Sequence, residues 1–270
     1  MDSGSGGRSD DNVEVDRNRR VFDARLRSAA KRLRVGELRV QAMESPTATL
    51  GQLTGVDAYA IQAEYVALRM ADGATPVGYK VGAGAEPAYG TIFDDRVRPS
   101  GSIIDVARLI RPAIEVEIGF VLSEALRGSN ATPADVLAAT SHVVPSFEIV
   151  DSRILGWGTG LADIAADNGH TAMVVLGDGR ASPRELDLRR VGVILERNGQ
   201  RVGTGSGAAV FGNPARSLAW LARELGASDH EIAPGSLVLS GAIFAPITAR
   251  PGDEFRASIE GVGEVSCRFD

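Results

Sequence analysis

A chain of 270 residues, 44% hydrophobic and 24% charged, is long enough to bury one large core, and a net charge of −6 with no long run of Lys and Arg argues against a nucleic-acid partner. The single cysteine, Cys267, excludes an internal disulfide framework and a cysteine-based zinc site, which fits a reducing compartment, the cytoplasm. No apolar stretch approaches the roughly 18 to 20 residues that span a bilayer, and the polar opening is not a signal sequence, so no membrane is expected.

The first twenty residues, rich in Gly, Ser, Asp and Arg, have little to bury, and 1–20 is expected to be a disordered tail. From Val21 to about Ala42 apolar residues (Val21, Phe22, Leu26, Ala29, Leu33) recur at helical spacing. Thr54 and Asp57 make a capping box that opens a second helix, whose buried stripe is predicted to be Val56, Tyr59, Ala60, Tyr65, Val66 and Met70. Residues 21–75 therefore form a helical N-terminal segment. Beyond it, 76–270 reads as a β-rich catalytic domain, because Gly and Pro punctuate short segments rich in Val, Ile and Phe. Strands are predicted at 77–81, 102–104, 113–122, 143–150, 172–176, 191–197, 201–204, 237–239, 254–260 and 264–269. Helices are predicted near 133–141, with Thr132 as cap and Pro133 first, and at 214–225, with Asn213 and Pro214 in the same places. So many strands with so few helices fit an α+β fold with a largely β body rather than a βαβ array.

Strand alternation over 113–122 puts Ile114, Val116 and Ile118 on one face and Glu115 with Glu117 on the other, their bases about 7 Å apart. Two like charges so placed either line a solvated face or share a hard divalent cation such as Mg²⁺ or Mn²⁺. A second acidic segment, Pro145 to Arg153, offers Glu148 as a third carboxylate, with Asp151 and Arg153 either supporting the cluster or forming a strand-end salt bridge. Gly203 to Gly212 looks superficially like a phosphate loop, but its candidate acid, Glu224, falls inside a helix, so these glycines are expected to serve a tight turn or a close backbone approach. His142 and His230 read as a packed and a solvated histidine. Trp157 and Trp220 read as packing residues, with Trp157 a candidate for the mouth of a pocket.

From about Val56 to Phe269 the chain resembles the 2-keto-4-pentenoate hydratase family, within the fumarylacetoacetate hydrolase-like superfamily. The likeness is carried, in order, by Ala58-Tyr-Ala-Ile-Gln62, Val77-Gly-Tyr-Lys-Val-Gly82, Tyr89-Gly-Thr-Ile-Phe-Asp-Asp95, Pro112 to Ile118, Phe147-Glu-Ile-Val-Asp-Ser-Arg153, Ala166-Asp-Asn168, Gly203 to Gly207, Pro234 to Gly241 and Pro251-Gly-Asp253. The resemblance implies a mainly β roll or sandwich body of the fumarylacetoacetate hydrolase-like type. It implies a metal-dependent lyase, a hydratase that adds water to a 2-hydroxy-dienoate or 2-oxo-enoate through a metal-stabilised enolate, with Glu115, Glu117 and Glu148 holding the divalent cation. Lys80 matches an active-site lysine that binds the substrate carboxylate or moves a proton. Asp95, Asp167 and Asn168 fall on motif positions near the site, Asp167 either orienting a water or Lys80 or capping a turn. The partners so implied are a small 2-oxo acid and further copies of the chain in a homo-oligomer, with a complex with a pathway decarboxylase conceivable.

The chain departs from that family on the substrate side. Only Ala83-Gly-Ala-Glu-Pro-Ala88 joins Gly82 to Tyr89, where the family has a longer loop. Gly169 and His170 stand where a small residue and a serine are common, which makes His170 either a new acid or base or a loop histidine. Ile243-Phe244-Ala245 replaces a smaller, more polar stretch and implies a more apolar substrate pocket, with Phe244 and Arg153 as contacts. Alternatives are a 2-oxo acid decarboxylase, a C–C bond hydrolase of the same superfamily, a recruited relative in a specialised pathway, or a catalytically silent partner subunit. The hydrolase is disfavoured because no histidine precedes His142.

Overall fold

The computed structural model describes residues 7–82, 86–157 and 160–270, with side chains from Phe22 onward. Three helices come first: α1 (Gly7–Arg39), the short α2 (Pro46–Leu50) and α3 (Gly55–Ala71). Helix α1 begins inside the segment expected to be a tail; residues 1–6 lie outside the described residues. Nothing between Arg8 and Val35 is Gly or Pro, so no residue there stops the helix that Leu26, Ala29, Ala30 and Leu33 anchor by burial. The Thr54–Asp57 capping box is present at α3. Its buried stripe is the predicted one in part: Tyr65 is buried and Tyr59, Ala60 and Val66 pack at its edge, but Val56 and Met70 are 81% and 53% exposed, and Ala58, Ile61, Gln62 and Arg69 complete the buried face. Gln62 and Arg69 are polar, so the true face, spaced 3, 4, 7 and 11 residues along, does not show as an apolar stripe.

The body follows as β1 (Pro76–Gly82), β2 (Ala88–Phe93), β3 (Val97–Pro99), β4 (Ser102–Ile104), β5 (Ala113–Leu122), α4 (Pro133–Ala139), β6 (Thr140–Val150), α5 (Leu161–Ala166), β7 (Thr171–Leu176), β8 (Gly192–Arg197), β9 (Gln200–Ser206), α6 (Ala215–Gly226), β10 (Leu237–Leu239), β11 (Ile247–Thr248), β12 (Glu254–Ile259) and β13 (Gly263–Phe269). One sheet runs β2-β1-β10-β5-β6-β7-β3, with β11 added to β5; the second runs β4-β13-β12-β8-β9. This is the expected α+β architecture. Ile114, Val116, Ile118 and Phe120 of β5 are fully buried with Phe147 and Ile149 of β6, in one core with Phe255, Val265 and Phe269 of the second sheet and Val136, Leu218 and Leu221 of α4 and α6. Burying this many side chains, each worth roughly 1.5–3 kcal/mol, gives the body its rigidity. A separate cluster joins α1 and α3 to Phe93, Ile154, Ala165 and Ala166, so the helical layer lies against α5 and the end of β2.

Both predicted helices of the body form. Thr132 caps α4 with a full capping box to Asp135, and the Asn213 side chain accepts the Ala215 N–H at the start of α6. The GTGSG glycines of β9 serve close approach: a Cβ on Gly205 would stand 2.8 Å from the Phe244 ring, and one on Gly207 1.9 Å from the Leu188 carbonyl oxygen. Among the described residues no helix is long and apolar enough to cross a membrane.

Candidate active site

Antiparallel pairing of β5 with β6 places Glu115 directly opposite Glu148, and alternation puts Glu117 on the same face two residues further on. One oxygen from each of these carboxylates lies within 4.8 Å of the others. Glu117 and Glu148 are fully buried, Glu115 partly so. The end of β10 closes one side, where the Gly241 N–H donates to Glu117 Oε2 at 2.6 Å. Lys80 comes from β1, in register with Leu239 of β10, and its Nζ stands 3.2 Å from Glu148 Oε1. That is an ion-pair distance without a well-directed hydrogen bond, so both Glu148 oxygens lack a hydrogen-bond donor among the described residues.

Burial and the Glu148 charge push the Glu115 carboxyl up to about 7, with Lys80 only partly offsetting them. Burial, then Glu148 and Glu115, push Glu117 well above the ordinary carboxylate range. For Lys80, burial pulls down but Glu148, Glu115 and Glu117 outweigh it, so its ammonium is held above its ordinary value. Three clustered carboxylates beside one ammonium are held at the cost of raised proton affinity in Glu115 and Glu117, and both Glu148 oxygens lack a hydrogen-bond donor among the described residues. A divalent cation fits that donor set, because oxygen-only ligands suit hard ions.

Beside Lys80 runs the turn Asn168-Gly169-His170, which joins α5 to β7. The Asn168 side chain clamps it to β2, accepting from the Thr91 N–H at 2.7 Å and donating to the Thr91 carbonyl at 2.9 Å. Gly169 is packed so closely on Lys80 that a Cβ would meet its Cε at 2.6 Å. His170 Nδ1 lies 2.8 Å from Asp167 Oδ2, its ring meets the Trp157 ring edge-on at 5.6 Å, and its Nε2 is buried without a partner among the described residues. Burial would raise Asp167, but Arg153 and His170 hold it below the usual carboxylate range, so it stays ionised and fixes the proton of His170 on Nδ1.

The remaining expected residues are placed elsewhere or committed. Asp95 is not brought to the carboxylates: it accepts from Arg69 at 2.6 Å and lines a separate surface cleft with Arg34, Asp72 and Asp94, because β2 carries it away from the Lys80–Gly90 pairing. Arg153 is not free for a substrate either. Its Nε donates to Asp167 Oδ1 at 2.7 Å, its Nη1 to the carbonyls of Thr171 and Asp151, and its Nη2 to the Asp167 carbonyl. Asn168, with its amide engaged on both sides by Thr91, is an anchor for the turn. Phe244 lines a cleft of about 450 Å³ with Glu115, Leu161 and Ile164, and Glu86 stands at its edge. Of the short connection after Gly82, residues 83–85 lie outside the described residues. Gly241 closes the motif Pro234 to Gly241, but its role is played by a backbone N–H that no side-chain pattern reveals, and Leu161 and Ile164 look like ordinary helix residues.

Residues 71–270 match the family described as fumarylacetoacetate (FAA) hydrolase, C-terminal. The chain is 37% identical over 256 residues to a 2-oxo-hept-4-ene-1,7-dioate hydratase of Escherichia coli, covering 89% of this chain and 96% of that protein. It is 40% identical over 224 residues to a 2-keto-4-pentenoate hydratase of Paraburkholderia xenovorans, covering 79% and 83%. Among solved structures it is similar to 4-oxalocrotonate decarboxylase from Pseudomonas putida complexed with magnesium and adipate, with a TM-score of 0.88 and 34% identity over 91% of this chain and 97% of that one.

Proposed function

Because the chain belongs to the fumarylacetoacetate hydrolase family, on the side of its 2-keto-4-pentenoate hydratases, we propose that it is a metal-dependent hydratase that adds water to a 2-hydroxy-dienoate or 2-oxo-enoate. The observation that carries this reading is the meeting of three carboxylates from two adjacent strands, their oxygens within 4.8 Å of one another and those of Glu148 without hydrogen-bond donors. Glu115, Glu117 and Glu148 hold a divalent ion, Mg²⁺ or Mn²⁺. When bound, the ion supplies a Lewis acid that polarises the 2-oxo group of the substrate.

The chain's own residues do the rest. Lys80, beside Glu148, presents a cation to the substrate carboxylate. The Gly241 N–H keeps Glu117 aimed into the cluster. His170 handles the proton: after the dienol ketonises, its hydroxyl proton passing to carbon 5 to leave a 2-oxo-3-enoate, Nε2, with Asp167 on Nδ1, takes a proton from the water as the water oxygen bonds to carbon 4, and returns it to carbon 3. Asp167 offsets the imidazolium charge in between. Arg153 and Asn168 position Asp167 and the turn without touching substrate.

The test is an absorbance assay on a panel of 2-hydroxy-dienoates with and without Mg²⁺ or Mn²⁺, beside calorimetric titration of the metal. Glu148→Gln is expected to abolish both metal binding and turnover while the circular dichroism spectrum stays as in the wild type. Metal-dependent turnover retained in that variant overturns the ligand set. Release of CO₂ in place of hydration would move the chain to the decarboxylases, which share this family.

A further inference from the structure

We infer that the substrate's distal end, the part remote from its 2-oxo acid group, is an uncharged hydrocarbon rather than a second carboxylate; this rests on the hydratase reading of the carboxylate cluster. The cleft that opens from Glu115 is walled by Leu161 and Ile164 of α5 on one side and by Ile243 and Phe244 on the other. At about 450 Å³ it lies in the range of small-molecule sites. Among the described residues no Lys, Arg or His lines it, and besides Glu115 the charged residue in its lining is another carboxylate, Glu86.

Phe244 does not yield this wall easily. Its ring is seated in the gap left by Gly203 and Gly205 of β9, where a Cβ on Gly205 would stand 2.8 Å from it. Neighbouring cations are engaged elsewhere: Lys80 stands beside Glu148 at the 2-oxo acid end of the substrate, and Arg153 donates to Asp167 and to three backbone carbonyls. With the 2-oxo acid group at the carboxylate cluster, the tail of the substrate runs along Leu161, Ile164 and Phe244. A hydrocarbon tail gains there by leaving water. A carboxylate would lose its hydration beside Glu86 without a counter-ion. The discrimination is of the kind in which an unpaired polar group decides, which is larger than that set by one methylene.

The experiment compares matched pairs on the wild-type protein loaded with Mg²⁺. Turnover is measured on 2-hydroxy-2,4-dienoates ending in an alkyl or phenyl group and on the equivalent ending in a carboxylate. Calorimetry measures binding of the inert pair 2-oxohexanoate and 2-oxoadipate. The hydrocarbon member of each pair is expected to be favoured at least about tenfold in kcat/KM and in affinity. Ile164→Arg, which puts a cation on the wall, is expected to narrow or invert both ratios. Equal or better use of the carboxylate-ended dienoate overturns the inference and leaves the hydratase reading standing. No turnover of any dienoate, with 2-oxohexanoate still bound more tightly, overturns the hydratase reading and leaves the inference standing. Binding of neither probe overturns both.

Discussion

Asn168, Gly169 and His170 pass through three successive left-handed backbone positions, with φ of 52°, 63° and 62°. For the two that are not glycine this costs roughly 1–2 kcal/mol each, and such a turn persists only where its surroundings hold it. Here they do: Thr91 clamps Asn168, Asp167 holds His170, and Gly169 rests on Lys80. The turn so held packs Gly169 on Lys80 and leaves His170 Nε2 buried without a partner among the described residues. Gly169→Ala tests this. Its methyl would meet Lys80 Cε at 2.6 Å and pay the left-handed penalty as well, so Lys80 has to leave Glu148. Stability is expected to fall by about 1–2 kcal/mol in urea unfolding and kcat by about tenfold or more. A wild-type kcat would show that Lys80 can be displaced without loss. In sequence the segment shows as the motif Ala166-Asp-Asn168 followed by Gly169 and His170, with His170 either an acid or base or a loop histidine, and Asp167 a residue that orients something or caps a turn. What it orients, His170 and the buried Arg153, follows from contacts 3 and 14 residues apart that no spacing rule specifies.

Secondary elements were legible where one physical rule governed them. Strand alternation alone put Glu115 and Glu117 on one face of β5, the Thr54–Asp57 capping box announced α3, and Thr132 as cap with Pro133 first announced α4. The α4 box is also a measurable one: Thr132→Ala removes the side chain that accepts the Asp135 N–H, and should cost about 1 kcal/mol in urea unfolding with activity unchanged, since α4 packs on α6 away from the carboxylates. A cost near zero would mean that the buried Val136 and Ala139 hold the helix start without its cap. Three strands were not legible. β11 is two residues long and β3 three, ending in Pro99, and both exist because β5 and β7 offer them a partner. In β2, Gly90 has low strand propensity, but a Cβ there would stand 2.2 Å from the Asn168 carbonyl oxygen, so the glycine serves the active-site turn. The pairing that brings Glu148 opposite Glu115 rests on a register between strands separated by α4, and only the resemblance to a family pointed to it.

At the scale of the whole molecule, one carboxylate adds a charged tie to the apolar cluster that joins the helical layer to the β body. Glu37, near the end of α1, accepts hydrogen bonds from Arg34 of its own helix, from Tyr65 and Arg69 of α3, and from Arg96 just beyond β2. Arg69 continues to Asp95, and the charge of Arg153, which holds Asp167 beneath the active-site turn, also acts on Glu37. Burial alone would raise the Glu37 carboxyl, but Arg153, Arg69, Arg96 and the Tyr65 hydroxyl outweigh it and bring it from 4.5 down to about 2. The folded value lies below the unfolded one, so the stabilisation is complete above about pH 4.5 and is lost as the pH falls toward about 2. A depression of that size corresponds to about 3 kcal/mol. Glu37→Gln keeps the shape and removes the charge. In urea unfolding at about pH 6 it should cost on the order of 3 kcal/mol, and the gap to the wild type should narrow as the pH is lowered from about 4.5 and vanish only below about 2, where acid neutralises the folded wild-type carboxylate as well. A gap that stays constant with pH would mean that shape rather than charge holds the layers together. Because Arg153 belongs both to this network and to the Asp167–His170 pair, the same variant should lower turnover at about pH 6 by more than its loss of folded protein explains.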